Sequence, residues 1–193
     1  MKGQCRFCRV QNLNGSKKSL MKKILLAIVF SFAVFSAGAN SFSLQVVQKN
    51  TPGDNVFDSS YVVEQTILDY FFERGMIVSN GSILVSKDDS ADDKTALRKA
   101  MIEAKVGSMD LFVKLELNYS VLDSANPTAI LLSNIKNAGI EIVSLSKNKV
   151  LARGNFTPPA TNDLNNNRIG VETFAKDIAI KMQEEFAKTG GAI

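Results

Sequence analysis

Few side chains in this sequence of 193 residues have types suited to catalysis or metal binding. It contains two Cys, no His and no Trp. The lack of His excludes Ser-His-Asp and Cys-His catalysis, and also zinc sites and proton relays that need an imidazole. Cys5 and Cys8 form a C-x-x-C pair, a spacing found in redox and zinc sites. Because neither a second pair nor a His accompanies it, we do not interpret this pair as a functional site.

Four carboxylates lie close together at Asp88, Asp89, Asp92 and Asp93. Such clusters suggest calcium, but an EF-hand loop needs ligands at alternating positions, a central Gly and a distal Glu, and this spacing has none of these. Acidic residues at a helix N-terminus interact favourably with the positive end of the helix dipole. We therefore predict that the cluster caps a helix.

Two adjacent serine and lysine pairs, Ser86-Lys87 and Ser146-Lys147, are candidate dyads. Neighbouring residues in a strand point to opposite faces, so neither pair is expected to act together. Glu64 and Asp69 are interpreted as helix-surface residues rather than as the carboxylate pair of a glycosidase. The sequence has no Walker loop, G-x-S-x-G or G-x-G-x-x-G motif. It therefore predicts no catalytic residue, no cofactor-binding residue and no metal ligand.

The first 39 residues have the features of an export signal. They hold seven Lys or Arg and no acidic residue, which leaves 16 basic and 19 acidic residues in 40–193. Lys22 and Lys23 precede an apolar run, Ile24 to Phe35, and Ala37-Gly38-Ala39 matches an A-x-A cleavage site. The run is shorter than the roughly 20 residues of a membrane span. We predict a signal peptide over 21–39, cleaved after Ala39, behind a non-structural upstream extension over 1–20.

Cleavage would leave residues 40–193 as a single domain without Cys. The short twin-lysine leader is typical of bacteria, so we predict a periplasmic protein, with association with the outer membrane left open. No integral membrane span is expected after cleavage. The mature part has no excess of cations to neutralise phosphates, so we expect no nucleic-acid partner.

Hydrophobic periodicity predicts the order β-α-β-β-α-β-β-β-β-α. Alternation over Leu111 to Tyr119 predicts a strand with one buried face, as in a sheet with helices on one side. Apolar stripes at helical spacing predict three helices: one capped by Asp58 or Ser59, one from about Ala91 to Val106, and one from about Arg168 to Lys188. These elements predict an α+β domain: a mixed, mainly antiparallel sheet with about three helices packed on it.

The sequence also predicts strands in two shorter segments. Asn80-Gly81 is a good hairpin-turn dipeptide and predicts a hairpin between short strands over 76–79 and 83–86. The apolar segment from Thr128 to Ile135 is predicted to be a strand.

Three segments resemble parts of small exported bacterial domains. Phe71 to Val78 is similar to their unit of long helix, glycine and short strand, Ala104 to Val113 to a helix that ends before Gly-x-Asp, and Ser146 to Ala152 to a hairpin turn before Lys-Val-Leu-Ala. The domains are the lipoprotein activators of penicillin-binding proteins, the curli secretion channel subunit and the N-terminal domain of TolB. This sequence lacks the lipid-attachment cysteine and has one extra residue between Gly107 and Asp110. The resemblance implies a non-catalytic envelope domain that binds other proteins, without assigning any site residue.

Two classes of function remain open at this point. The first is an exported protein-interaction domain that contacts an envelope protein through a sheet edge or a helix face, with a homo-oligomer as one form. The alternative is a periplasmic small-ligand-binding protein or an uncharacterised hydrolase, which would need a concave pocket with converging polar groups. No cofactor is expected in either case.

Overall fold

The structure, a computed structural model, describes residues 41–87, 90–120, 124 and 126–189. The predicted signal peptide, the cleavage site after Ala39, the upstream extension with Cys5 and Cys8, and the acidic residues Asp88 and Asp89 lie outside the described residues. Among the helices that are described, none combines the length and the apolar composition needed to cross a membrane.

Six strands and three helices make up the described part of the chain. In chain order they are β1 (Ser41–Lys49), α1 (Asp58–Phe72), β2 (Ile77–Asn80), β3 (Leu84–Ser86), α2 (Ala91–Val106), β4 (Leu111–Tyr119), β5 (Ile135–Ser144), β6 (Lys149–Phe156) and α3 (Arg168–Thr189), with a 3₁₀ turn over Leu132–Asn134 before β5.

The strands form one sheet around β1. On one side β1 pairs in parallel with β2 and then with β3, and on the other side it pairs in parallel with β4. The pairings of β4 with β5 and of β5 with β6 are antiparallel. The predicted α+β class with a mixed sheet and three helices is confirmed, with antiparallel pairing in the β4–β6 half and parallel pairing around β1.

The main core lies between one face of the sheet and helices α1 and α3. Alternate residues of β1 and β4 face it, and the seven residues of the stripe predicted for α3 are all buried: Val171, Phe174, Ala175, Ile178, Ala179, Met182 and Phe186. Phe42, Phe71 and Phe186 pack as a ring cluster, with centroids 5.0 to 5.4 Å apart. The first strand, the first helix and the last helix therefore meet in one aromatic contact.

Helix α2 packs on the opposite face of the sheet, where Ala104 contacts a small cluster with Phe112, Val143 and Leu145. The prediction of helices on one side only is therefore wrong. The connection β1-α1-β2 runs toward one edge, whereas β3-α2-β4 crosses back over β1 to its other side. Parallel crossovers are right-handed in nearly all proteins, so crossovers in opposite directions place their helices on opposite faces.

The predicted hairpin at Asn80-Gly81 is wrong. β2 and β3 both run parallel to β1, pairing with its first and its second half respectively, so the chain continues past Gly81 without reversing. The predicted strand over 128–135 is also wrong, because the segment forms turns and the 3₁₀ turn, and β5 begins only at Ile135. Leu132 and Ile135 are buried in the main core, which explains the apolar pattern without a strand.

Candidate functional site

The β2–β3 edge, residues 75–86, is the candidate interaction surface of the chain. Its sequence, Gly75 to Ser86, contains no charged residue, although Arg74 and Lys87 flank it. Within the part of the chain that the structure describes, no strand pairs with the outer side of β2 or β3. The side chain of Ile77 is 63% exposed. The edge therefore offers unpaired backbone groups next to apolar side chains.

The β2–β3 edge is interrupted by a notch at Gly81 and Ser82. The Gln45 side chain of β1 fills the notch, where its Nε2 donates to the carbonyl oxygens of Ser82 (2.8 Å) and Val46 (3.1 Å). The Gly81 N–H donates to the Leu44 carbonyl (3.3 Å). A Cβ on residue 81 would lie 2.6 Å from Gln45 Oε1, so a glycine is needed for this side chain to bind there. The notch explains the Asn-Gly dipeptide, which sequence reasoning took for a turn.

The serine and lysine pairs do not form dyads in the structure. Ser86 Oγ donates to Asp93 Oδ2 (2.6 Å), whereas Lys87 Nζ forms an ion pair with Asp54 Oδ1 (2.6 Å). Asp93 also belongs to a capping box with Ser90, in which each side chain binds the other residue's backbone N–H at 3.2 Å. The predicted capping role is thereby confirmed for Asp93.

The other pair lies in the turn between β5 and β6. Ser146 Oγ is 3.1 Å from Ser144 Oγ, and Ser144 Oγ accepts a hydrogen bond from the backbone N–H of Lys147 (3.3 Å). Ser144 and Lys147 also have the S-x-x-K spacing of some serine hydrolases, a motif that the sequence analysis missed. The contacts of Ser144 Oγ are those of a turn, with no contact to the lysine amine.

Glu64 is buried, 7% exposed, and not on the helix surface as predicted. It lies on α1, and burial raises the pKa of its carboxyl above the ordinary 4.5, while a hydrogen bond with Asn80 of β2 acts in the opposite direction. Its Oε1 has no hydrogen-bond partner among the described residues. Asp69, in contrast, is exposed and accepts a hydrogen bond from Gln65 (2.6 Å).

A buried amide at Gln48 joins β1 to the start of α1. Its Oε1 accepts from the Phe57 N–H (2.8 Å) and from Ser60 Oγ (2.9 Å), and its Nε2 donates to the Asn55 carbonyl (2.9 Å). Ser60 Oγ also lies 2.8 Å from Tyr119 Oη, and burial raises the pKa of Tyr119 to about 12. The phenol is therefore neutral at physiological pH. The network connects β1, the start of α1 and the end of β4, which is a structural role rather than that of an acid-base site.

The face of the sheet beside α2 carries a charged surface beyond the small apolar cluster. Glu116 forms ion pairs with Lys49 (3.2 Å) and Lys114 (3.1 Å), and Glu141 forms one with Arg153 (2.7 Å). Each of these carboxylates therefore has a cationic partner on the same face of the sheet. In the described residues, no three His, Cys, Asp or Glu side chains come together as a metal site would require.

Comparison with solved structures finds bacterial proteins of similar fold. A variant of the PelC dodecamer from Paraburkholderia phytofirmans shares 14% identity, with a TM-score of 0.44 over 75% of this chain and 89% of that chain. The protein XCC0632 from Xanthomonas campestris shares 12% identity, with a TM-score of 0.38 over 82% and 90% of the two chains. The LpoB C-terminal domain from Escherichia coli shares 12% identity, with a TM-score of 0.37 over 72% and 95%.

These matches agree with the resemblance to exported bacterial domains seen in the sequence, and at such identities they concern the fold alone. Comparison with curated protein sequences gives no match. A family model described as "Uncharacterised protein" matches residues 41–187, which is nearly the whole described part of the chain. The chain belongs to that family.

Proposed function

We propose that this chain is an exported, non-catalytic protein of the bacterial cell envelope that binds another envelope protein through the β2–β3 edge. The observation that carries the proposal is the uncharged edge itself. Twelve successive residues, 75–86, lack any charge, and their outer backbone groups have no strand partner in the described residues. The predicted signal peptide over 21–39 supports export.

Edges of this kind are usually protected, because an exposed strand can pair with another chain. Charged side chains are a common protection, and the opposite edge, β6, carries two of them at Lys149 and Arg153. The β2–β3 edge has only the notch at Gly81, which keeps both strands short. A partner that adds an extended segment would bind the backbone groups of this edge and pack on side chains such as Ile77.

The test is site-specific photo-crosslinking in intact cells. Benzoylphenylalanine replaces Ile77 on the edge or, as a matched control, Ile102 on α2, which is 56% exposed. We expect a discrete adduct from position 77, recovered with the envelope fraction, and none from position 102. An adduct of twice the chain mass would identify a second copy as the partner.

A second variant, which places a charge on the β2–β3 edge, tests whether the crosslink at position 77 depends on this edge. Ser82 is exposed and binds Gln45 through its backbone, so Ser82→Lys should leave the fold intact. It should reduce the adduct at position 77 by about tenfold, which corresponds to roughly 1.4 kcal/mol of binding free energy. Equal adducts from positions 77 and 102, no adduct from 77, or retention of the protein in the cytosol would each contradict the proposal.

A further inference from the structure

A groove of about 240 Å³, which we call the α2 groove, lies between α2 and the strands β1 and β2. On the strand side it is lined by Ser43 and Ser79, and on the helix side by Ala100, Glu103 and Ala104. Pockets for separate small molecules commonly have volumes of about 300–1,000 Å³. The smaller volume of the α2 groove is suited to one long side chain of a partner.

The α2 groove is continuous with the β2–β3 edge. Ser43 of β1 pairs with Ser79 of β2, and Ser41 pairs with Ile77, so Ile77 and Ser79 point to the same face of the sheet, where the groove lies. A strand added outside β2 would present two of its own residues on that face, one opposite Ile77 and one opposite Ser79. The side chain opposite Ser79 would enter the α2 groove.

Glu103 determines which charge fits the α2 groove. Among the described residues that line the groove it is the only ionisable one, and its side chain is 65% exposed. Lys99 Nζ lies 3.8 Å from Glu103 Oε1, a long ion pair between two exposed side chains, and such pairs contribute little free energy. The carboxylate is therefore accessible to a second cation that enters the groove.

The walls of the α2 groove suit the stem of a basic side chain. Ala100, Ala104 and Met109 supply apolar contacts beside the Glu103 carboxylate. Lys and Arg bury their aliphatic stems on such surfaces while the charged group at the end binds a polar partner. An added strand would also remove water from the groove, which strengthens an ion pair there. An apolar side chain would instead dehydrate the carboxylate without replacing its hydrogen bonds.

We propose that the partner of the β2–β3 edge is a different protein whose edge-binding segment carries a Lys or Arg, and that this basic side chain lies in the α2 groove and binds the Glu103 carboxylate. The inference rests on the proposed function, because a strand paired with β2 is what brings the side chain to the groove. It specifies the partner: an extended segment with one residue opposite Ile77 and a basic residue two positions away, opposite Ser79.

The first test changes the charge of Glu103 in cells whose protein carries benzoylphenylalanine at position 77. The backbone carbonyl of Glu103 accepts from the Gly107 N–H (2.8 Å), and this bond does not involve the side chain, so Glu103→Lys and Glu103→Gln should both fold. We expect Glu103→Lys to reduce the adduct by about fivefold and Glu103→Gln to give a smaller loss. Glu184→Lys, the same reversal at an exposed residue of α3, is the matched control and should change the adduct by less than about twofold.

The second test reads the partner segment itself. Digestion of the adduct with chymotrypsin, which does not cut at Lys or Arg, and tandem mass spectrometry locate the residue crosslinked to position 77. We expect a Lys or Arg two positions from it. Replacing that basic residue of the partner by Glu should restore the adduct in the Glu103→Lys background, as a direct ion pair requires.

The outcomes separate this inference from the proposed function. An adduct that Glu103→Lys leaves unchanged, an equal loss in Glu184→Lys, a crosslinked segment without Lys or Arg at that spacing, or a segment from a second copy of this chain would each overturn the inference, while the β2–β3 edge would remain the binding surface. The absence of any adduct from position 77 in the parent protein would overturn both.

Discussion

Amide side chains determine how β1 is connected to its surroundings. Gln45 and Gln48 lie on opposite faces of this strand, and both are buried. Gln45 binds the notch in the edge, and Gln48 binds the start of α1, where it satisfies an N–H group that the helix itself leaves unpaired. The apolar pattern of β1 predicts a strand but not these contacts, because they depend on which residues the fold brings next to the two amides.

Glu64 gives a prediction about pH. Burial raises its pKa in the folded state above the value in the unfolded chain, so the folded state binds this proton more tightly. The bound proton therefore stabilises the folded state fully below about pH 4.5. This contribution to the free energy of unfolding is lost as the pH rises through the pKa that Glu64 has in the folded state. Glu64→Gln keeps the size and one of the two side-chain oxygens but removes the charge, so we expect the variant to be more stable than the parent at pH 7 and similar to it near pH 4.

Urea unfolding at several pH values would measure this difference. At this chain length, each kcal/mol corresponds to a change in Tm of about 2–4 °C, so thermal unfolding is a second readout. Glu73→Gln is the control, because Glu73 is exposed at the end of α1. A difference between Glu64→Gln and the parent that is the same at pH 4 and pH 7 would show that desolvation of the charge is not the cause.

At the scale of elements, the helices were predictable because their apolar stripes are long and regular. α2 and α3 begin at the predicted residues, Ala91 and Arg168, and α2 ends at the predicted Val106. The two failures involve short segments, where one side-chain contact outweighs the local preference for a turn or a strand. Gly81 is needed beside Gln45 rather than in a turn, and the side chain of Asn134 binds the carbonyls of the loop before it instead of extending a strand.

The candidate interaction surface was less predictable than the helices. The sequence shows that residues 75–86 lack charge, but only the topology shows that they form an edge. An edge made of two short strands that both pair with β1 has no periodic signal of its own.

Helix α2 depends on its own sequence more than α1 and α3 do. Ala104 is its only fully buried residue, so packing contributes little and the capping box at Ser90 matters more. We expect Ser90→Ala to cost about 1 kcal/mol and to speed hydrogen exchange of the α2 amides, while the amides of β4 keep their protection. Hydrogen-exchange mass spectrometry would measure both regions in one experiment.

The control for this cap is Thr95→Ala on the same helix. Thr95 is exposed, and its Oγ donates to the carbonyl of Ala91 (2.9 Å), so the exchange should be unchanged or slower, since alanine favours helices. If Ser90→Ala speeded exchange equally in β4 and α2, the helix would be part of the global unfolding unit and the argument for a separate, locally stabilised helix would be wrong.

For the whole molecule, β1 is the strand that unites the fold. It is the first described strand, it lies inside the sheet, and its Phe42 contacts the first helix and the last helix through Phe71 and Phe186. Ser41, the first residue of β1, also binds the residue directly before β4: its N–H and its Oγ–H both donate to Asp110 Oδ2 (3.1 and 2.8 Å). The core is therefore completed only when α3, the last element, packs against the first.

This closure predicts that the main core unfolds as one cooperative unit. Phe186 is 5% exposed, and Phe186→Ala would leave a cavity between β1 and α1, so we expect a loss of about 3–5 kcal/mol in unfolding free energy. Phe72→Ala is the matched control, since Phe72 is 70% exposed and its loss should change stability by less than about 0.5 kcal/mol. Denaturant unfolding followed by circular dichroism and by tyrosine fluorescence should give coincident transitions for both variants, because Tyr119 in β4 belongs to the same core as α3. Separate transitions in Phe186→Ala would mean that α3 can detach while the sheet persists, and the last helix would then be an accessory to the core rather than the element that completes it.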